Sequence, residues 1–396
     1  MSSGGGRGGD LALVLSGGGA RAAYQTGVLR FIARHFPTLR FPIITGVSAG
    51  AINAAFLASH SGPPADAAPK LCDLWSNLQV ENIFDVDIST LARTFIQWGS
   101  HLGAGGSSLA PDVRGLVDTR PLEDTIRRVT ATVDGELVGI GHNLEHGQLK
   151  AVALTTLNYT TGQTVVWVQG ADLKPWSMPL RHSVSARITV HHVMASAALP
   201  LIFPAVRIGD SWHGDGGVRL TAPLGPALRL GASRMLAISP FYTPSAEEAT
   251  RHQITGYPPP AQILSHLLNS VFLDAMDEDV RRLISMNPLL EKLPPEERRG
   301  LRPVDILVMR PSQDLGHLAA SYEPQLPKAF RYLTRSLGTR ETTNSDFLSY
   351  LMFQPDYLQR LIELGEADAE ARQTELEALL EPPPGDKSPG YGAAPA

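Results

Sequence analysis

Apolar positions along this chain fall in short unbroken runs. Leu11 to Leu15 is one, Ile43-Ile44 leads into Thr45, and similar runs lie at Lys150 to Leu157, Thr164 to Val168, Met235 to Ser239 and Val304 to Met309. Short apolar runs bounded by turn residues predict strands covered on both faces. Between them lie segments with helical spacing or helix-forming composition: Arg21 to His35, Ala51 to His60, Pro121 to Val129, Ala261 to Met286 and Phe347 to Leu364. Strands alternating with helices point to an α/β sheet. In the segment Ala261 to Met286, the residues Ile263, Leu264, Leu267, Leu268, Val271 and Phe272 share a helical stripe, read as core or as a cap on the sheet in preference to a lipid-facing surface.

Gly99 to Ser108 and Tyr242 to Pro260, rich in Gly, Pro and small polar residues, read as loops over the sheet. Residues 1–9 and Glu381 to Ala396 have the composition of frayed ends. The apolar run at Leu11 is stopped after five residues by Ser16-Gly17-Gly18-Gly19, too short for a signal-peptide core, and no apolar stretch approaches the roughly 18 residues of a spanning helix. Any membrane contact is then expected to be peripheral.

Composition narrows the classes further. With 396 residues, 43% of them apolar, the chain has material for one large domain or two smaller ones, and general disorder is excluded. A net charge of −5 without a block of like charges leaves no footprint for nucleic acid. Cys72 is the single cysteine, so an intramolecular disulfide, a Cys-rich zinc site and a dithiol redox pair are all excluded.

Three short segments carry candidate chemistry. Gly17-Gly18-Gly19-Ala20-Arg21 stands between a predicted strand and a predicted helix, where exposed N–H groups and the positive helix end stabilise an anion. A dinucleotide turn wants a third glycine and an acid about 20 residues later; here Ala22 takes the glycine's place and no Asp or Glu occurs between Asp10 and Asp66. The Gly-Lys-Ser/Thr phosphate loop is also missing, because Lys70 is the first lysine. An oxyanion hole needs the same backbone geometry without the ribose acid, and a ligand-free tight turn stays open beside it.

Gly46-Val47-Ser48-Ala49-Gly50 matches Gly-x-Ser-x-Gly between a strand and a helix, the setting of a nucleophile elbow. The string alone would arise by accident in roughly one chain in five of this glycine content, so its context carries the weight; the alternative is a glycine-rich turn with a capping serine. A serine needs a base. His191, His192, His213, His252, His266 and His317 are available, none in a signature of its own, and Gly214-Asp215-Gly216-Gly217 places a carboxylate among glycines, which by itself reads equally as a plain turn.

Taken together and in this order, the glycine loop, the Ser48 pentapeptide and the Asp215 tetrapeptide resemble the patatin-like phospholipase family. The segment Ala195-Ser196-Ala197-Ala198-Leu199-Pro200-Leu201-Ile202-Phe203-Pro204 is similar to that family's apolar stretch upstream of its aspartate, and the likeness runs from about Leu11 to Leu224 and less closely to Gly365. Ala22, in place of the last loop glycine, and Thr221, where asparagine is common, depart from the pattern. The resemblance implies a three-layer α/β/α fold with a mainly parallel central sheet over residues 10–365, with helical cap segments at about 243–300 and 345–365 and a helix end and tail beyond. It implies a Ser48–Asp215 dyad without histidine, an oxyanion hole from Gly17, Gly18 and Gly19, and Arg21 orienting that loop or meeting a head-group phosphate. It further implies hydrolysis of phospholipid or another acyl-ester lipid without metal or cofactor, in the cytoplasm with peripheral membrane contact. A non-catalytic lipid-binding module and a His-dependent α/β-hydrolase esterase stand as alternatives, and the oligomeric state is left open.

Overall fold

The computed structural model describes residues 10–84, 115, 117–170, 174–250, 257–272, 274–327, 330–331, 335 and 346–381. Its strands are β1 (Asp10–Leu15), β2 (Ile43–Val47), the small hairpin β3 (Thr132–Val133) and β4 (Glu136–Leu137), then β5 (Ala151–Asn158), β6 (Gln163–Gly170), β7 (Ser177–Met178), β8 (Arg181–Ser185), β9 (Val206–Ile208), β10 (Ser211–Asp215), β11 (Ala232–Ile238) and β12 (Asp305–Met309). The main sheet runs β12-β11-β1-β2-β5-β6-β8-β7. The five strands from β12 to β5 are mutually parallel, and β6 turns back antiparallel on β5.

The unbroken apolar runs have a direct cause. Leu11, Leu13 and Leu15 enter the core on one face of the sheet, while Ala12 and Val14 enter the core on the other, as the period of two requires when both faces are covered. On the first face lie α1 (Ala23–His35), α2 (Ala49–Ser59), α3 (Pro64–Ser76) and the helix Pro355–Ala371, contributing Phe31, Ala54, Trp75 and Leu361 among others. On the second lie the helices Gly225–Leu230 and Asp274–Lys292, contributing Ala227, Leu230 and Met276. The result is the expected three-layer α/β/α arrangement with a mostly parallel centre.

β2 is shorter than β5 and stops beside Thr155. Val47 pairs with Thr155, and the next position along the same edge, Thr156, pairs with Asp215 of β10. Two segments more than 160 residues apart in sequence therefore end side by side on one strand.

Some elements differ from the sequence expectation. The expected helix Phe347 to Leu364 is two helices, Asp346–Leu351 and Pro355–Ala371, because Pro355 supplies no N–H and disfavours helical backbone at the residue before it. The segment Ala261 to Met286 holds the helices Pro260–Phe272 and Asp274–Lys292. Of its apolar stripe, Leu268 packs against the core, whereas Ile263 and Leu267 are exposed; the side chains of Leu264, Val271 and Phe272 lie outside the described residues. α3 went unanticipated, its Pro69 obscuring a stripe that buries Leu71, Cys72 and Trp75. Gly99 to Ser108 lies outside the described residues, as do residues 1–9 and 382–396. In Tyr242 to Pro260 a short helix, Ala246–Ala249, is described. Among the described residues no helix is long and apolar enough to cross a membrane.

Candidate active site

Ser48 sits on the turn between β2 and α2 with φ 57° and ψ −135°, a conformation that costs a non-glycine residue about 1 to 3 kcal/mol. The surroundings hold it there. Its N–H donates to Ser196 Oγ at 3.1 Å, and the Ser196 hydroxyl donates to the Thr155 carbonyl on β5 at 2.7 Å. A Cβ on Gly50 would lie 2.4 Å from the carbonyl oxygens of Leu15 and Ser16, so the pentapeptide's last glycine lets α2 start against the end of β1.

The glycine turn lies against that helix start. Gly18 and Gly19 have positive φ, and a Cβ on Gly19 would meet the Tyr350 carbonyl oxygen at 2.2 Å. Neither Gly17 nor Gly18 donates its N–H to a backbone carbonyl of the described residues. Ala22, the departure from the loop pattern, is right-handed helical with φ −65°, so alanine is unstrained there.

Arg21 is 2% exposed and points into the protein. Its Nε donates to Ser349 Oγ at 2.6 Å, its Nη2 pairs with the Asp346 carboxylate, and its guanidinium lies over the rings of Tyr350 and Phe241 at 4.5 and 5.4 Å. Asn269 donates to the other Asp346 oxygen at 2.7 Å. A guanidinium committed in this way ties the glycine turn to the helix Asp346–Leu351. The placement turns Arg21 inward rather than out to solvent.

Asp215, at the end of β10, is wholly buried. Its Oδ1 accepts from the Gly217 N–H at 2.8 Å and its own N–H donates to the Ala198 carbonyl at 3.1 Å. The Ser48 hydroxyl stands close enough to lower the carboxyl's proton affinity as a hydrogen-bond donor, yet Oδ2 has no partner at full hydrogen-bond geometry. Burial outweighs both hydrogen bonds and pushes the Asp215 pKa up to about 7.

The pocket that Ser48 opens to has an empty volume of about 730 Å³ including its mouth and is walled by apolar side chains, with Ile52, Trp75, Leu122, Phe203, Tyr350 and Phe353 around Ser48 and Gly19. Among the described residues no histidine lines it. His192 and His213 are buried against Trp167, with ring centroids at 4.5 and 5.5 Å, and burial pushes both pKa values down to about 4. His191 faces Glu123 at 4.0 Å, His266 shares a hydrogen bond with Gln262, and His317 begins a helix capped by Asp314; His252 lies outside the described residues.

Ser196 was missed as a site residue. The segment Ser196 to Ala198 touches both candidate groups, Ser48 through the Ser196 hydroxyl and Asp215 through the Ala198 carbonyl. Its only sequence signal is the apolar stretch Ala195 to Pro204, which marks the segment without saying which atom faces which neighbour.

Fold and site together define an α/β protein with a strained, buried serine on a strand-to-helix turn and a buried carboxyl beside it. A family model described as patatin-like phospholipase matches residues 13–228, more than half of the chain, and the chain belongs to that family. Among solved structures it is similar to VipD from Legionella pneumophila, 12% identical over 93% of this chain and 68% of that one, with a TM-score of 0.36. It is also similar to human GIVD cytosolic phospholipase A2 in complex with methyl gamma-linolenyl fluorophosphonate, at 13% identity and a TM-score of 0.44, where 94% of this chain spans 59% of the human one. ExoU from Pseudomonas aeruginosa, solved with SpcU, is 18% identical over 93% of this chain and 78% of that one, with a TM-score of 0.24. No curated protein matched.

Proposed function

We propose that this chain is a lipid acyl hydrolase that uses Ser48 as nucleophile and Asp215 as its base, acting on phospholipid or another acyl-ester lipid. The observation that carries the reading is the juxtaposition at the end of β5, where a strained serine that lines an apolar pocket stands beside a buried carboxyl. An acyl chain suits that pocket, since apolar walls stabilise alkyl groups removed from water.

The Ser48 oxygen attacks the ester carbonyl while Asp215 takes its proton. The carbonyl oxygen becomes negative and accepts hydrogen bonds from the N–H groups of Gly17, Gly18 and Gly19, each such donor contributing about 3 to 4 kcal/mol of barrier lowering. The tetrahedral intermediate expels the alcohol, which takes the proton back from Asp215. Water then loses a proton to Asp215 and attacks the acyl-serine, releasing the acid and restoring Ser48. A carboxyl with a pKa of about 7 is a far better base for this than one near 4, and burial is the cause. We read the segments at about 243–300 and 345–365 as a cap, one wall of which is built by Tyr350, Leu351 and Phe353. Substrate would be reached by peripheral contact with a membrane from the cytoplasm.

A fluorophosphonate probe with a long alkyl chain tests the nucleophile: mass spectrometry should find one adduct on Ser48 and none in Ser48→Ala. A protein that hydrolyses short-chain esters yet keeps Ser48 unlabelled, or that loses activity when His192 or His213 is replaced by Gln while Asp215→Asn remains active, would overturn the dyad.

A further inference from the structure

A second cavity opens at the far end of α2. Its volume is about 640 Å³ including the mouth, against about 730 Å³ for the pocket at Ser48. Leu29, Ile32 and Phe36 at the end of α1, Ile44 near the start of β2 and Leu57 near the end of α2 give it apolar walls. Ile44 precedes Ser48 by four residues of extended chain, about 13 Å along the strand, so these two residues, one lining each cavity, stand at opposite ends of β2.

Two polar groups here are left incompletely matched. Arg40, half-buried at the cavity, donates from Nη1 to the Gly62 carbonyl at 3.3 Å and to Gln148 Oε1 at 3.2 Å. Both acceptors are neutral, and no carboxylate of the described residues pairs with it. Asn143, 4% exposed, donates from Nδ2 to the carbonyls of Ala58 at 2.8 Å and His60 at 3.0 Å, which fixes the amide's orientation and leaves Oδ1 buried without a hydrogen bond. A buried acceptor without a donor and a half-buried cation without a counter-charge are both costly. His60, which also lines the cavity, has its proton affinity lowered by burial and by nearby Lys70 against the opposing pull of Asp66.

We infer that this cavity is a second ligand site, for a single-chain anionic amphiphile. The alkyl chain lies among Leu29, Ile32, Phe36 and Leu57, and the anionic head is held by Arg40. A fatty-acid anion and a lysophospholipid share the chain and the charge. The site does not depend on Ser48 being a nucleophile, and its ligands need not be turned over.

The test uses full-length Ser48→Ala protein, so that no turnover intervenes, and titration calorimetry with dodecanoate, dodecanoyl lysophosphatidate and dodecanol below their micelle concentrations. Both anions should bind, the lysophosphatidate more tightly than dodecanoate, and dodecanol weakest. Adding Arg40→Gln should weaken both anions about tenfold or more while leaving dodecanol unchanged, since one charge-assisted contact is lost. A diazirine-bearing dodecanoate should crosslink to residues 29–41 and 57–68. Equal affinity with and without Arg40, or crosslinks confined to the walls of the Ser48 pocket, would overturn the inference, as would no binding at all. Because every arm reads binding in a protein that lacks the Ser48 hydroxyl, a failure here is separate from a failure of fluorophosphonate labelling.

Discussion

The two ends of α2 make an instructive pair. At its start, an apolar pocket meets a hydroxyl held in a strained turn with a buried carboxyl beside it; at its other end, a cavity of similar size meets a guanidinium and an amide. Apolar volume is common to both, so it cannot be what separates a reacting site from a binding site. The difference lies in the polar groups and in how firmly the backbone fixes them. Ser48 is held by a hydrogen bond through Ser196 to β5, and Asp215 by register with the same strand, whereas Arg40 reaches its cavity from a connecting segment between α1 and β2. On the proposed roles, the groups that transfer a proton are carried by the sheet, and the group that only attracts charge is carried by a loop.

The sharpest break of this comparison is Ser48→Ala. Ester hydrolysis should fall by at least about ten-thousandfold, because the other groups cannot replace a nucleophile, while dodecanoate binding at Arg40 stays the same; assays on a chromogenic ester and calorimetry on one preparation read both. Asp215→Asn should cost about a thousandfold or more in kcat. It should also raise stability, and the sign follows from linkage. The folded carboxyl holds its proton up to about pH 7 and the unfolded one only to about 4, so the wild type loses stability as pH rises through that window. Denaturant melts at pH 8 should show the Asn variant more stable by on the order of 4 kcal/mol, and no difference near pH 3.

A finer cut is Ser196→Ala, which frees the Ser48 N–H and the Thr155 carbonyl without touching substrate. One such buried contact predicts roughly a tenfold loss in kcat with KM little changed, and Ser196→Thr should recover part of it. For the wild type, kcat/KM should fall about tenfold per pH unit below pH 7 and level off above it; a profile flat from pH 5 to 8 would remove Asp215 as base. Smallest of all, Arg40→Gln should leave hydrolysis of a short soluble ester within about twofold of wild type, since it lies at the other end of the strand.

Much was legible in the linear chain for local reasons. Strands covered on both faces need apolar residues at every position, so β1, β2, β5 and β11 announced themselves as runs, and the turns after β1 and β2 needed glycines that no other side chain could replace without collision. Those demands are met by neighbouring residues and leave a mark in the sequence. What the fold alone decided was every pairing over long distance: that Thr155 and Thr156 of β5 set Val47 beside Asp215, that Ser196 braces Ser48, that Arg21 is spent on Asp346 rather than held out to solvent, and that Arg40 and Asn143 share a cavity. Register, crossover and burial are collective results of packing the whole chain, and no short window of residues carries them.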